Sequence, residues 1–103
     1  MKLIYKHIAV MDMQQMKFYI EETLKNKTAA NNFLRRLLQD ISSLKKNPYL
    51  GVSVAEKFGV TSTMRMLVSN KQLVFYEVTD TEMISIIRIL DSRQNYLAVL
   101  LDS

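Results

Sequence analysis

The chain has 103 residues, 49% of them hydrophobic, with no cysteine and a single histidine. This length supports one domain with a modest core, so we expect a single domain over residues 1–103. Without cysteine there is no disulfide or thiolate nucleophile, and one histidine makes a transition-metal site unexpected, so we expect no metal and no other cofactor. No apolar run approaches the roughly 20 residues that span a bilayer, and the first residues do not resemble a signal peptide. We therefore expect a cytoplasmic protein that does not interact with a membrane.

The net charge of +4 is distributed unevenly along the chain. Residues 1–50 contain nine Lys or Arg against four Asp or Glu, whereas residues 51–103 contain five against six. The first half is therefore the basic one. This excess is compatible with a nucleic acid or an acidic protein partner, but a solvated helix face has the same composition.

The first half of the chain predicts one strand and two helices. Residues 3–8 form a short apolar run that indicates a strand at the edge or start of a sheet. Residues 9–25 repeat apolar side chains near helical spacing. A second helical pattern follows Thr28, a candidate N-cap, and ends at Pro48. Because the break between these helices is short, we expect an antiparallel hairpin with both apolar stripes facing a sheet.

The second half predicts an antiparallel meander. Residues 49–63 carry both glycines and indicate a loop with one short strand around residues 52–58. Three strands rich in apolar and β-branched residues then follow with short polar breaks, at residues 64–68, 73–78 and 83–90.

Alternation along these strands predicts which residues share a face of the sheet. Val74 and Tyr76 alternate with Leu73, Phe75 and Glu77, so both faces are apolar. In the last strand, alternation places four residues on one face: Ile84, Ile86, Arg88 and Leu90. The helix hairpin covers one face, and the other needs either the C-terminal segment or a partner. The fold class is therefore α+β, with an N-terminal strand, an antiparallel helix hairpin on one face of a three- to four-stranded antiparallel sheet, and a short C-terminal segment.

The candidate functional residues are set into or near these strands: Arg65, Arg88, Arg93, Tyr76 and Tyr96. A guanidinium is costly to bury, so we expect the arginines on an open face or at strand ends, where they meet an anion. Arg88 has a structural alternative, a cross-strand pair with Glu77 worth up to about 1 kcal/mol. Arg65 and Arg93 have fewer acidic neighbours in the predicted sheet, and Tyr96 has the alternative of packing at the rim.

Five pieces of the chain, in order, match the pattern of a known superfamily. They are Ala29-Ala30 with Phe33-Leu34, Pro48 with Gly51, Met64-Arg65, residues 74–78 and residues 86–96. Together with the order of elements, they resemble the RelE/ParE superfamily of small toxins from bacterial type II toxin–antitoxin modules.

The resemblance implies two activities. RelE-like members enter the ribosomal A site and cut mRNA without a metal, by attack of the 2′-hydroxyl on the adjacent phosphate. ParE-like members poison DNA gyrase, and an antitoxin segment neutralises both kinds. For RNA cleavage, Arg65, Arg88 and Arg93 are the candidate cations, Tyr96 or Tyr76 the stacking face or proton donor, and Glu56 the base.

The sequence departs from the RelE-like pattern at the last strand. Leu90-Asp91 stands where many relatives carry Leu-His, and Asn95 stands where they carry aspartate. The ending Ile89-Leu90 followed by Arg93 is closer to the ParE-like branch. Three hypotheses stay open: a ribosome-dependent endoribonuclease, narrowly preferred; a gyrase inhibitor; and an inactivated relative that only binds its antitoxin. The expected partners are thus a cognate antitoxin, with either the ribosome and mRNA or DNA gyrase.

Overall fold

A computed structural model describes residues 1–101 of the chain. The elements follow one another as a strand, a helix hairpin, a short strand and helix, a three-strand meander and a final helix. Their bounds are β1 Lys2–Tyr5, α1 His7–Leu24, α2 Lys27–Ser42 with a 3₁₀ turn Ser43–Lys45, β2 Val52–Ser53, α3 Val54–Phe58, β3 Arg65–Ser69, β4 Gln72–Val78, β5 Met83–Asp91 and α4 Tyr96–Leu101.

The five strands form one sheet in the order β1-β5-β4-β3-β2. Strands β2 to β5 are antiparallel, as the meander predicts, whereas β1 lies parallel to β5 with Leu3 opposite Ile84. Residues 6–82 connect the two strands, and this long connection allows the parallel pairing, since a two-residue turn cannot return the chain in the same direction. The α+β prediction is confirmed, and the sheet has five strands.

The helix hairpin begins and turns slightly differently from the sequence prediction. Helix α1 starts at His7, and Lys25 ends it in the left-handed region with φ 52°. The N-cap of α2 is Asn26, not Thr28, because the Asn26 side chain accepts a hydrogen bond from the Ala29 N–H at 3.1 Å. The tight turn between the helices holds them antiparallel.

The larger core lies between this hairpin and the sheet. Its fully buried residues come from α2 with its 3₁₀ turn and from the two central strands: Leu37, Ile41, Leu44, Val74, Tyr76, Ile84, Ile86 and Ile89. Ala9 and Met13 of α1 and Leu67 of β3 complete it. Each fully buried Leu or Ile contributes about 1.5–3 kcal/mol to folding, so this layer holds the hairpin in place.

The opposite face of the sheet is covered by the chain itself. Leu73 and Phe75 of β4 pack with Val54 of α3 and Leu100 of α4 in a second, smaller core. This confirms that a C-terminal segment covers the second face. The predicted strand over residues 52–58 is wrong beyond Ser53, because the Ser53 side chain caps the N-terminus of α3.

A β-bulge changes which side chains of β5 share a face. Phe75 pairs with Arg88, but Tyr76 pairs with Ile86, so Ile87 is the extra residue. The predicted shared face of Ile84, Ile86, Arg88 and Leu90 is therefore confirmed for the first two residues and wrong for the other two. Ile89 joins Ile84 and Ile86 under the hairpin, and Leu90 belongs to the smaller core. No helix within residues 1–101 is both long and apolar enough to cross a bilayer.

Candidate functional site

A groove lies between the helix hairpin and one end of the sheet. It consists of two adjoining cavities of about 300 and 240 Å³, which share Phe33 of α2 and Gln72 of β4. The larger cavity extends towards α1 and the end of β5, and the smaller one towards the β3–β4 turn. We call this surface the hairpin groove.

Arg88 lies in the hairpin groove but is paired with an aspartate of α1. Its Nε and Nη2 donate to the two carboxylate oxygens of Asp12 at 2.9 and 3.0 Å, and the backbone N–H of Ile89 donates to the same carboxylate at 2.9 Å. Asp12 is 8% exposed. The hydrogen bond to Asp12 raises the pKa of the Arg88 guanidinium, against the effect of its partial burial. The alternative pair of Arg88 with Glu77 does not form, since Arg88 binds Asp12 and Glu77 accepts a hydrogen bond from Thr63.

Arg93 lies at the mouth of the same groove and is also paired. Its Nε and Nη2 donate to the Asp91 carboxylate at 2.9 and 2.6 Å, and its backbone N–H donates to the same group at 2.8 Å. The Arg93 side chain is 65% exposed. Hydrogen bonding from Arg93 is the main cause that lowers the pKa of Asp91 below its usual range. The expectation that Arg93 has fewer acidic neighbours than Arg88 is therefore wrong, since each guanidinium pairs with one aspartate.

Arg65 lies at the other end of the sheet, where it binds backbone carbonyls. Its Nε and Nη2 donate to the Gly51 carbonyl at 3.0 and 2.6 Å, and Nη2 also lies 3.3 Å from the Tyr49 carbonyl. The guanidinium carbon is 5.3 Å from the centre of the Tyr49 ring. Arg65 thus fixes the loop before β2.

The two candidate tyrosines lie in different layers, Tyr76 in the larger core and Tyr96 against the smaller one. The Tyr76 hydroxyl is buried, donates to the Pro48 carbonyl at 2.8 Å and accepts from the Gly51 N–H at 2.9 Å. A Cβ at Gly51 would lie 2.8 Å from that hydroxyl oxygen, so only glycine allows this approach. The centre of the Tyr96 ring lies 6.2 Å from the ring centres of both Phe58 and Phe75, on the sheet face opposite the hairpin.

Glu56 is exposed in the first turn of α3 and is distant from the groove along the sheet. Ser53 caps α3 and pairs with Arg65 at one end of the sheet. The groove lies at the other end, where Gln72 pairs with Ser69 and with Asp91. The structure therefore brings Arg88 and Arg93 into one groove. It leaves Arg65 and Glu56 at the opposite end, and Tyr96 on the opposite face.

Sequence reasoning missed three residues of the groove. Asp12 and Arg36 belong to the polar positions of their helices, and Gln72 precedes the predicted strand at residues 73–78, so each resembles an ordinary surface residue in the sequence. Gln72 is in fact 9% exposed. One signal was available: Asp12 is followed by a buried position of α1, which places it near the edge of the apolar stripe.

Comparison with known proteins identifies the family. A model of the family described as "ParE toxin of type II toxin-antitoxin system, parDE" matches residues 3–96. Among solved structures, a chain of the "Chromosomal ParDE TA system from P. aeruginosa" is similar, with a TM-score of 0.74 and 16% identity over 88% of this chain and 95% of that chain. That identity supports the fold alone, and a search of curated proteins finds no significant match. Because the family match covers most of the sequence, the chain belongs to the ParE toxin family of type II toxin–antitoxin systems.

Proposed function

We propose that this toxin acts by inhibiting DNA gyrase through protein contact, and not by cutting mRNA. Membership of the ParE family favours the gyrase-directed hypothesis over the RelE-like one. The observation that carries the proposal is the separation of the candidate catalytic residues between the two ends and the two faces of the sheet. The mRNA-cleavage hypothesis, narrowly preferred from the sequence, is not confirmed by the family match.

Phosphodiester cleavage by a 2′-hydroxyl needs cations around one phosphate, with a base and an acid within hydrogen-bond reach of it. Here Arg88 and Arg93 share a groove, but each already neutralises an aspartate. Glu56 and Arg65 lie at the other end of the sheet, and the Tyr76 hydroxyl is buried with both of its hydrogen bonds satisfied. This arrangement favours a binding protein over a nuclease.

We place the gyrase contact on the loop that Arg65 holds. Tyr49 and Leu50 are 63% and 49% exposed there, and the Arg65 guanidinium stacks over the Tyr49 ring. Exposed tyrosine and arginine in one patch are enriched at the centres of protein interfaces. Because Arg65 fixes the loop backbone, the patch needs little ordering on binding.

The proposal is tested in cells that express the toxin alone. Plasmid topology and primer extension on abundant mRNAs are measured in the same cultures. We expect loss of negative supercoiling, with intact mRNA, before growth stops. Cuts in mRNA at codon-phased positions, with normal plasmid topology, would contradict the proposal and support the nuclease hypothesis.

A matched pair of variants tests the contact patch. Tyr49→Ala should relieve gyrase inhibition, whereas Tyr19→Ala, at a tyrosine of α1 that is 67% exposed, should not. Equal inhibition by the Tyr49 variant and the wild type would exclude this patch as the gyrase contact.

A further inference from the structure

We infer that the solvent face of α1 binds the same face of α1 in a second copy of the chain, so that the free toxin forms a weak two-fold dimer. The two helices lie antiparallel, and Met11 of each copy contacts Phe18 of the other. Neither residue lines the hairpin groove. The inference is independent of the gyrase target.

The two helices of the hairpin differ in the faces that they expose to solvent. The solvent face of α1 carries the large apolar side chains of Ile8, Met11 and Phe18. Their spacing places them in one stripe, on the opposite side of the helix from the buried Ala9 and Met13. The corresponding face of α2 is polar and consists of Thr28, Asn32, Arg35, Gln39 and Ser42. Because a solvated helix face is normally polar, the stripe on α1 has the composition of a contact surface.

A shallow cavity lies in the middle of this stripe. It has a volume of about 250 Å³ and is lined by Met11, Gln14, Gln15 and Phe18. These four positions have the spacing i, i+3, i+4 and i+7, which is the set that surrounds a hole in the knobs-into-holes packing of two helices. Phe18 at one end of the hole is 64% exposed. The cavity is therefore shaped to receive a side chain from a facing helix.

The same four residues make the surface complementary to itself. Gln14 and Gln15 lie midway between Met11 and Phe18, so a two-fold axis that passes between them sets each copy's Met11 opposite the partner's Phe18. A methionine sulfur packs favourably against an aromatic ring. The glutamine amides, which can donate and accept, meet across the axis. A two-fold interface requires this self-complementarity, and an unrelated partner does not.

The charges at the two ends of α1 match in the same arrangement. Lys6 and His7 lie at its start, and Glu22 lies on the stripe near its end. Antiparallel packing places Glu22 beside the basic start of the partner's helix, and opposes the two helix dipoles. Glu22 already contacts Lys25 at 3.4 Å, but that pair is exposed and contributes little. Parallel packing would bring the two basic starts together, so charge favours the antiparallel dimer.

The size of the surface predicts that the dimer is weak. One face of an 18-residue helix buries less than about 800 Å² per copy, the size of a standard stable interface. Monomer and dimer should therefore exchange, and the dimer should appear only as the protein concentration rises.

The experiment is sedimentation velocity of purified full-length toxin from about 1 μM to about 1 mM, the range in which weak complexes form. Phe18→Asp, on the stripe, should weaken dimerisation by about 10-fold or more. Leu24→Asp is the matched control, because Leu24 is 61% exposed on the same helix but lies off the stripe. Thermal melts check that both variants fold. A wild-type chain that stays monomeric throughout, or equal weakening by both variants, would overturn the inference.

Single cysteines test the orientation of the two helices, since the chain has none of its own. In the antiparallel dimer Gln14 lies beside the axis, whereas the two copies of Ile8 lie at opposite ends of the interface. Gln14→Cys should therefore be cross-linked to its own copy by a short bismaleimide, and Ile8→Cys should not. Efficient cross-linking of Ile8→Cys without that of Gln14→Cys would show parallel packing and overturn the proposed arrangement.

Discussion

Two arginine–aspartate pairs lie on the same groove but in different surroundings. The side chains of Arg88 and Asp12 are 15% and 9% exposed and join α1 to β5. The side chains of Arg93 and Asp91 are 65% and 26% exposed and lie two residues apart in the chain. Both pairs are bidentate. The difference shows that burial, rather than pairing, decides what such a contact does: the first fixes the hairpin to the sheet, and the second orders a turn at the groove mouth.

The largest expected effect comes from breaking the buried pair. Asp12→Ala leaves the Arg88 charge and the Ile89 N–H without a partner, and should lower the free energy of unfolding by about 3–5 kcal/mol. Urea denaturation followed by circular dichroism measures this. Asp91→Ala is the matched control and should change stability far less; an equal loss in both variants would contradict the role given to burial.

The second-largest loss of stability is expected when the buried, uncharged hydrogen bonds of Tyr76 are removed. Tyr76→Phe keeps the packed ring but leaves the Gly51 N–H and the Pro48 carbonyl without the hydroxyl. Leaving such buried groups unsatisfied costs about 1–3 kcal/mol. The same denaturation experiment applies, and a loss larger than that of Asp12→Ala would reverse the ranking.

The sequence predicted the elements well because their signals are local. The apolar period of α2 and the alternation in β4 each depend on residues within a few positions of one another. The pair that anchors α1 has no such signal, since Asp12 and Arg88 are 76 positions apart. The bulge at Ile87 also changes the face on which later residues of β5 lie, and nothing in the run of isoleucines marks it.

The candidate site was predicted less well for the same reason. Residue type alone identified Arg65, Arg88 and Arg93 as candidates. The role of each arginine depends on its hydrogen-bond partner, and two of the three partners belong to other elements. Arg88 pairs with a helix residue and Arg65 with loop carbonyls. Arg36, which has no hydrogen bond or ion pair within residues 1–101, belongs to a helix position that resembles any solvated one.

Arg65 differs from both paired arginines because its hydrogen-bond acceptors are uncharged backbone carbonyls. Arg65→Ala removes hydrogen bonds to the Gly51 and Tyr49 carbonyls, which remain close to water at a partly exposed site. We expect a loss of about 1 kcal/mol, smaller than for Tyr76→Phe, with faster amide exchange in the loop. Hydrogen exchange measured by mass spectrometry checks it, and unchanged exchange at residues 49–52 would show that Arg65 does not hold the loop.

The smallest effect on stability is expected at the exposed Arg93–Asp91 pair. Its contribution is measured best as a change in the pKa of Asp91. Arg93→Ala should leave the melting temperature unchanged at neutral pH but raise the pKa of Asp91, because Arg93 is the main cause of its lowering. A carboxyl with a lowered pKa in the folded state stabilises above its unfolded pKa, and this contribution is lost as pH falls through the folded value. Titration of Asp91 by carbon-13 NMR measures the shift; an unchanged pKa in the variant would contradict the pairing.

The proposed gyrase target is tested most directly by adding purified toxin to purified DNA gyrase and measuring the supercoiling of relaxed plasmid. The double variant Arg93→Ala with Glu56→Gln, which removes two candidate catalytic groups, is titrated beside the wild type. We expect both to inhibit supercoiling to the same extent and the antitoxin to restore it. If the wild-type toxin leaves supercoiling unaffected and cuts mRNA on purified ribosomes, the proposed gyrase target is contradicted.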